Sequence, residues 1–181
     1  MFIGLVLIIT PSFEFLSSLV CAFLHEFGHI VTMLYNGKKI SKINIGLSNI
    51  DIIENGFPCS GIKTDIIILL SGSLSNFMVS FVVYIINLFF ENYYFNIFIY
   101  QNIVIGIFNL LPISSLDGGQ IFYILLSRVT DTRKAELICN IISFLILIPI
   151  FILSFLILFY SKYNFSLLFI TFYLISFLNF K

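Results

Sequence analysis

The residues best suited to chemistry in this chain are His25 and His29, which flank Glu26 and are the only two histidines among 181 residues. On a helix, positions i and i+4 share one face, so both imidazoles can bind the same metal ion. Glu26 follows His25 directly and can act on a water molecule that such a metal holds. The spacing therefore predicts a hydrolytic metal centre. The alternative is a chance pattern in which two core histidines make ordinary hydrogen bonds.

Two histidines do not complete such a centre, because catalytic zinc sites use three protein ligands and keep a fourth position open. The sequence has no third histidine, so the remaining ligand is a carboxylate or a cysteine. Most acidic residues fall near the ends of apolar segments or in loops, whereas Asp117 lies between two apolar stretches. A carboxylate within a membrane segment is by default a functional candidate. The alternative is that Asp117 only caps a helix N-terminus, where aspartate is favoured.

The composition is that of a membrane protein. The chain is 60% apolar and only 10% charged, whereas soluble domains carry about 25% charged residues. Water-soluble packing cannot bury so much apolar surface in a chain of this length. The net charge is zero and there is no long basic run, so no nucleic acid partner is expected. The widely spaced Cys21, Cys59 and Cys139 are expected to be small buried hydrophobes rather than a disulfide framework.

The predicted fold class is an all-α polytopic membrane protein with about five to six transmembrane segments, each needing about 20 apolar residues. The first apolar segment is too short to span, and is either a re-entrant half-helix or an extension kinked at Pro11. The segments on either side of Pro112 are expected to form a broken helix, which is tolerated at membrane depth where it lines a polar cavity. The apolar segments are Phe2–Thr10, Phe13–Tyr35, Ile66–Phe90, Tyr93–Leu111, Ile113–Leu126, Leu137–Tyr160 and Phe165–Phe180.

The basic residues predict the orientation of these segments. Placing the loop after Tyr35 in the cytoplasm puts all Lys and Arg residues except Lys162 on the cytoplasmic side. The inverted topology would place them outside, against the positive-inside rule.

The stretch Lys38–Asp65, between the first two long spans, has strand character. Ile43–Ser48 alternates apolar and polar residues, Ile50–Ile52 continues with a shifted face, and Asn55–Gly56 is typical of a tight turn. These patterns predict a small amphipathic β-ribbon at the cytoplasmic face, whose edge could accept an extended peptide. The alternative is a simple polar connector.

Three motifs together resemble the site-2 protease family of intramembrane zinc metalloproteases. The segment Asn109–Gly119 contains an Asn-x-x-Pro followed by a Leu-Asp-Gly and is similar to the family's second signature. It follows an upstream His-Glu-x-x-His with Gly28 inside it, and Gly72–Asn76 is a weaker match to the family's Gly-x-x-x-Asn. The resemblance covers Phe13 to Ser127 in the right order. It is most similar to the stage IV sporulation protein FB branch.

The resemblance implies one catalytic Zn²⁺ ion and a role for each matched residue. The zinc ligands it implies are His25, His29 and Asp117, with Glu26 as general base. Asn76 and Asn109 are implied to hold the substrate backbone or to stabilise the oxyanion. A packing role for Gly72 and Asn76 at a helix contact fits equally well, because small residues let transmembrane helices approach closely.

For the whole chain, the resemblance implies a single membrane-embedded metalloprotease domain over residues 1–181. The expected core is 13–127, with additional spans at 137–160 and 165–180 and no PDZ or CBS domain. The expected protein is a multi-pass protein of the bacterial cell membrane, with an active site that opens toward the cytoplasm. The expected partners are the lipid bilayer, regulatory membrane proteins and a membrane-associated protein substrate, which in the sporulation branch is a pro-sigma factor.

Two other function classes fit parts of the sequence. One is a catalytically silent membrane scaffold or adaptor derived from such a protease, although a scaffold has no need of Glu26. The other is a metal-transport or metal-storage protein, which would be expected to carry further His, Asp or Glu residues along a path through the spans.

Overall fold

The structure, a computed structural model, describes residues 13–37, 40–45, 50–54, 61–161 and 166–176. Within these ranges the chain is mostly helical, as expected for an all-α membrane protein. The predicted segment Phe2–Thr10 lies outside the described residues. The elements are α1 (Phe13–Tyr35), β1 (Ile40–Ile45), β2 (Ile50–Glu54), α2 (Ile62–Phe90), α3 (Tyr93–Asn109), α4 (Asp117–Leu126), α5 (Thr132–Ser161) and α6 (Ser166–Ser176).

The helices agree with the apolar segments except at several ends. Helix α2 begins at Ile62, before the apolar segment Ile66–Phe90, with a first turn that includes Lys63 and Asp65. Helix α5 likewise begins at Thr132, before the apolar segment Leu137–Tyr160, because polar residues form its first turns. Apolar patterning finds only the part of a helix that lies in hydrocarbon, whereas polar helix-forming residues extend the helix beyond it.

Three helices in the described part of the chain are long and apolar enough to cross a membrane. They are Leu16–Tyr35, Ile62–Phe90 and Thr132–Leu156, with mean hydropathies of 1.3, 2.1 and 2.7. Their large apolar side chains are exposed, which suits a surface that faces lipid; examples are Phe23, Met78, Phe81, Leu145 and Leu156. The 17 residues of α3 rise about 25 Å, less than the roughly 30 Å of hydrocarbon. The total of five to six spans stays a prediction.

The chain divides into two compact units, one that ends at Phe108 and one that begins at Asn109. In the first unit, α1 packs along α2. In the second unit, α5 packs against both α4 and α6. The single domain expected from the sequence is not tested by this division and stays a prediction.

Small and polar side chains form the core of the first unit. The buried positions of α1 recur every four residues and are Ser17, Cys21, His25 and His29. Those of α2 recur in the same way and include Ile68, Gly72, Asn76 and Ser80. Lipid offers no hydrophobic reason to bury apolar side chains, so membrane helices pack through small residues and interhelical hydrogen bonds instead.

Two serines of α2 share their hydroxyl groups between a carbonyl of their own helix and a carbonyl of α1. The Ser75 hydroxyl lies 2.8 Å from the carbonyl oxygen of Leu24, and the Ser71 hydroxyl lies 3.1 Å from that of Gly28. The helices are close here because Gly28 has no side chain: a Cβ at this position would lie 2.6 Å from the Ser71 carbonyl oxygen and 2.7 Å from the Ser75 hydroxyl. This contact fixes the register of α1 against α2 at the level of the two histidines.

The two strands pair antiparallel, with Ile43 opposite Ile52 and Ile45 opposite Ile50. Pairing is irregular between Ile40 and Lys42. The amphipathic character of this ribbon and its place at the cytoplasmic face stay predictions. The predicted turn at Asn55–Gly56 lies outside the described residues.

The chain breaks around Pro112, as expected. Helix α3 ends at Asn109, and α4 begins at Asp117, inside the apolar segment Ile113–Leu126. The residues between form tight turns, in which the Ile113 amide donates to the Leu111 carbonyl and the Leu116 amide donates to the Ile113 carbonyl, both at 2.8 Å. Proline disfavours helical backbone at the residue before it, and the chain then needs these turns before a helix can restart.

Candidate metal centre

The two histidines form a close pair on the buried face of α1. Their Nε2 atoms are 3.2 Å apart, and their rings are nearly perpendicular at 87°. Zinc–nitrogen bonds of about 2.0–2.1 Å in a tetrahedral site place two ligand nitrogens about 3.3–3.4 Å apart. The pair therefore has close to the spacing that one zinc ion requires of two imidazole ligands.

The backbone of α2 fixes the orientation of His29. The Nδ1 atom of His29 lies 2.7 Å from the carbonyl oxygen of Ile68. A carbonyl can only accept, so Nδ1 carries the proton and Nε2 of the neutral ring keeps its lone pair. Metal-binding histidines are commonly held in this way by a carbonyl or carboxylate on the other ring nitrogen. The contact leaves the nitrogen that faces His25 ready to bind a cation.

Gly72 makes room for both imidazoles. A Cβ at this position would collide with His29 Nε2, and would lie 2.6 Å from His29 Cε1 and 2.8 Å from His25 Cε1. Any side chain at position 72 would therefore displace the rings. The sequence alone indicated only a packing role for this glycine, whereas the structure places it against the atoms that would bind metal.

Glu26 lies beside the pair in sequence, and its side chain is exposed. Successive residues of a helix point about 100° apart, so Glu26 leaves the buried face that carries the histidines. A general base must reach both water and substrate. An exposed carboxylate next to a buried ligand pair is compatible with that role.

Asp117 belongs to the second unit, where it is the first residue of α4 and is half-buried. The sequence left open that Asp117 only caps this helix. That alternative is wrong in its simple form, because Leu116 occupies the N-cap position and Asp117 lies within the first turn. A carboxylate there still interacts favourably with the helix dipole.

Close backbone packing holds the start of α4 in place. A Cβ on Gly118 would collide with the Leu110 carbonyl, and one on Gly119 would collide with the Ile113 carbonyl. The Ser143 hydroxyl of α5 accepts a hydrogen bond of 2.8 Å from the Ser114 amide and so anchors the preceding turn. The two glycines after Asp117 are therefore needed for the turn that sets its position.

The two asparagines lie in different surroundings. Asn109 is the last residue of α3 and is half-buried. Asn76 is fully buried on α2, one helical turn from Gly72, and neither atom of its amide has a hydrogen-bond partner within the described residues. Their roles in substrate binding or oxyanion stabilisation stay predictions.

The structure thus brings His25, His29 and Gly72 together, and it adds one group that sequence reasoning missed. That group is the Ile68 carbonyl, which no sequence motif can indicate because it is a backbone atom. The four-residue spacing of Ile68, Gly72 and Asn76 was the available signal that one face of α2 meets the histidines. Cys21 and Cys139 are buried, as expected, and Cys59 lies outside the described residues.

Comparisons with known proteins give one family match and one similar fold. Residues 91–150 match the model of Peptidase family M50, a stretch that includes Asn109 and Asp117. The fold is similar to that of the site-2 protease from Methanocaldococcus jannaschii, with a TM-score of 0.71 and 24% identity, over 97% of this chain and 83% of that chain. No curated protein sequence matches significantly. The chain therefore has the fold of a site-2 protease and carries a match to the M50 peptidase family.

Proposed function

We propose that this chain is an intramembrane zinc metalloendopeptidase that cleaves a membrane-associated protein substrate near the cytoplasmic face. The observation that carries the proposal is the histidine pair, whose Nε2 atoms are 3.2 Å apart and whose second member is oriented by the Ile68 carbonyl. The M50 match and the site-2 protease fold support the same reaction class. Three apolar helices long enough to span a bilayer support a site within the membrane.

Asp117 is the third protein ligand in this proposal. Two neutral imidazoles and one carboxylate form a known catalytic zinc set, and such sets leave one position open. The M50 match includes Asp117, and the close packing at Gly118 and Gly119 gives the carboxylate a defined backbone position. When bound, zinc supplies Lewis-acid activation of a water molecule and of the scissile carbonyl.

The remaining steps belong to side chains of this protein. Glu26 takes a proton from the attacking water and later delivers it to the amine that leaves. The Nδ1–H of His29 stays on the Ile68 carbonyl, which holds this ring in a fixed orientation. Asn109 and Asn76 offer amide N–H groups to the negative charge that develops on the carbonyl oxygen, and one such donor is typically worth about 3 kcal/mol.

The substrate class in this proposal is a protein anchored in or on the membrane, such as a pro-sigma factor or another membrane-tethered transcription factor. A substrate helix must unwind before it is cut, because its carbonyls are hydrogen-bonded within the helix. The edge of the β1–β2 ribbon offers backbone groups that can hold an extended segment by strand addition.

Co-expression with candidate membrane-tethered transcription factors tests the proposal, with wild type compared to Glu26→Gln. We expect wild type to cleave and the variant to lose cleavage by at least about 10²-fold, because the general base is gone while the zinc ligands remain. Glu14→Gln, an exposed glutamate in the first turn of the same helix, is the matched control and should cleave normally. A scaffold or a transporter would show no difference between the two variants, and full cleavage by Glu26→Gln would overturn the role of this residue.

A further inference from the structure

A row of small buried side chains, polar except for the Cys21 thiol, continues away from the histidines along the three helices of the first unit. We call this row the polar seam and define it as Ser17, Cys21, Asn76, Ser80 and Asn102, all of them buried. Ser17 and Cys21 precede His25 by eight and four residues on the same face of α1. Asn76 lies one turn from Gly72, which contacts both imidazoles. The seam therefore begins at the candidate metal centre.

Contacts between the helices place the two asparagines of the seam at similar depth. The Phe77 ring packs on Gly106, where a Cβ would lie 2.7 Å from its Cε1 atom. The Ser80 hydroxyl lies 3.4 Å from the Ile99 carbonyl oxygen. These contacts set α2 antiparallel to α3. Asn76, next to Phe77, and Asn102, between Ile99 and Gly106, thus lie on facing helices within about one turn of each other.

The protein satisfies only part of the hydrogen-bonding capacity of these two amides. Asn102 is 0% exposed, and its Nδ2 donates both hydrogens, to the Phe98 carbonyl at 2.9 Å and to the Cys21 sulfur at 3.0 Å. Its Oδ1 has no partner among the described residues. Asn76 is also 0% exposed, and within the same residues both its Nδ2 and its Oδ1 lack partners.

Unpaired amide groups at full burial are unfavourable, and native proteins satisfy nearly all of them with protein atoms or ordered water. The groups that satisfy these amides must donate to Asn76 Oδ1 and to Asn102 Oδ1, and must accept from Asn76 Nδ2. Water is the smallest molecule that does both, and buried waters typically make about three such bonds. Lipid chains offer neither donor nor acceptor.

We propose that Asn76 and Asn102 bind internal water, so that the polar seam is a hydrated site inside the first unit. The seam ends near the start of α1, where the Ser17 hydroxyl donates to Gln101 Oε1 at 2.6 Å and Gln101 Nε2 donates to the Glu14 carbonyl at 2.8 Å. Glu14 is exposed, so this end reaches the surface. Water held in the seam would be a local store for a hydrolytic centre surrounded by lipid, a consequence that rests on the proposed function. The binding of water itself does not rest on it.

Water-edited solid-state NMR on the uniformly ¹⁵N-labelled full chain in lipid bilayers tests this proposal directly. We expect the side-chain amides of Asn76 and Asn102 to receive magnetisation from water nearly as fast as the side-chain amide of Asn87 does. Asn87 lies near the end of α2 and bonds to an exposed asparagine. The backbone amide of the fully buried Leu147 of α5 is the reference for a site without water. Transfer to both asparagines no faster than to Leu147 would overturn the proposal.

Two variants assign the signals and test whether the asparagines share water. Asn76→Leu keeps the number and branching of the side-chain heavy atoms but removes both polar groups. It removes one signal and is expected to slow water transfer to the Asn102 side chain several-fold. Asn102→Leu is expected to do the reverse for Asn76. Unchanged transfer to the remaining asparagine in both variants would contradict a shared site, and if either variant fails to fold, the wild-type measurement decides. The experiment needs neither zinc nor cleavage, so its failure is distinct from failure of the peptidase proposal.

Discussion

The ring orientation of His29 determines what the histidine pair can bind. Sequence spacing correctly placed His25 and His29 on one helix face, because four residues make about one turn. It could not predict which nitrogen of His29 carries the proton, since that depends on the Ile68 carbonyl of another helix. Nor could it separate a packing role for Gly72 from a role beside the metal ligands. Both questions depend on a contact between residues some forty positions apart.

Replacement of Gly72 tests that contact at the scale of a single residue. We expect Gly72→Ala to weaken zinc binding at least about tenfold, as is typical when the groups that position metal ligands are changed, because the new Cβ occupies the space of both imidazole rings. The measurement is zinc affinity by chelator competition on purified protein. Gly61→Ala is the matched control, since a Cβ there has nothing within 4 Å. Equal zinc affinity in the two variants would contradict the assigned role of Gly72.

Among the elements, the contact between α1 and α2 positions the two histidines. Apolar patterning predicted both helices because a long hydrophobic segment that crosses a membrane must satisfy its backbone hydrogen bonds internally, as a helix does. It did not predict the additional polar turns at the start of α2 and α5, or the tight turns between Pro112 and Asp117. Those boundaries depend on hydrogen bonds and local backbone turns, which a hydropathy pattern does not report.

The interhelical hydrogen bond of Ser75 gives a prediction for this contact. Ser75→Ala should lower the free energy of unfolding by about 0.6 kcal/mol, a usual value for such bonds in membrane proteins, because the 2.8 Å contact with the Leu24 carbonyl is lost. Reversible unfolding in mixed detergent micelles measures the change. Ser176→Ala is the matched control, because its hydroxyl bonds only to the Tyr173 carbonyl of its own helix among the bonds described. A larger loss in the control than in Ser75→Ala would contradict this account.

For the whole molecule, composition alone predicted an integral membrane protein. Three helices in the described residues that are long and apolar enough to cross a membrane agree with it. The motif order predicted the family resemblance that the M50 match and the fold similarity support. The predicted orientation across the membrane rests only on the positions of the Lys and Arg residues. It can be tested without any knowledge of the substrate.

Cysteine labelling in cells tests the predicted orientation. In a Cys59→Ser background, whose other cysteines Cys21 and Cys139 are buried, Glu91→Cys places a thiol at an exposed turn and Arg128→Cys places one at another. The positive-inside rule predicts that a membrane-impermeant maleimide labels position 91 in intact cells and position 128 only after permeabilisation. The reverse pattern would contradict the orientation and the cytoplasmic site.

The zinc content of the purified protein tests whether His25, His29 and Asp117 bind one ion. It is compared between wild type, Asp117→Asn and the control Glu136→Gln, an exposed residue of α5. The account predicts one zinc per chain in wild type and in the control. It predicts at least about tenfold weaker binding in Asp117→Asn, because a neutral amide is a poorer ligand than a carboxylate. A wild-type chain that takes up no zinc on reconstitution, or an Asp117→Asn variant that binds zinc as tightly as the control, would contradict it.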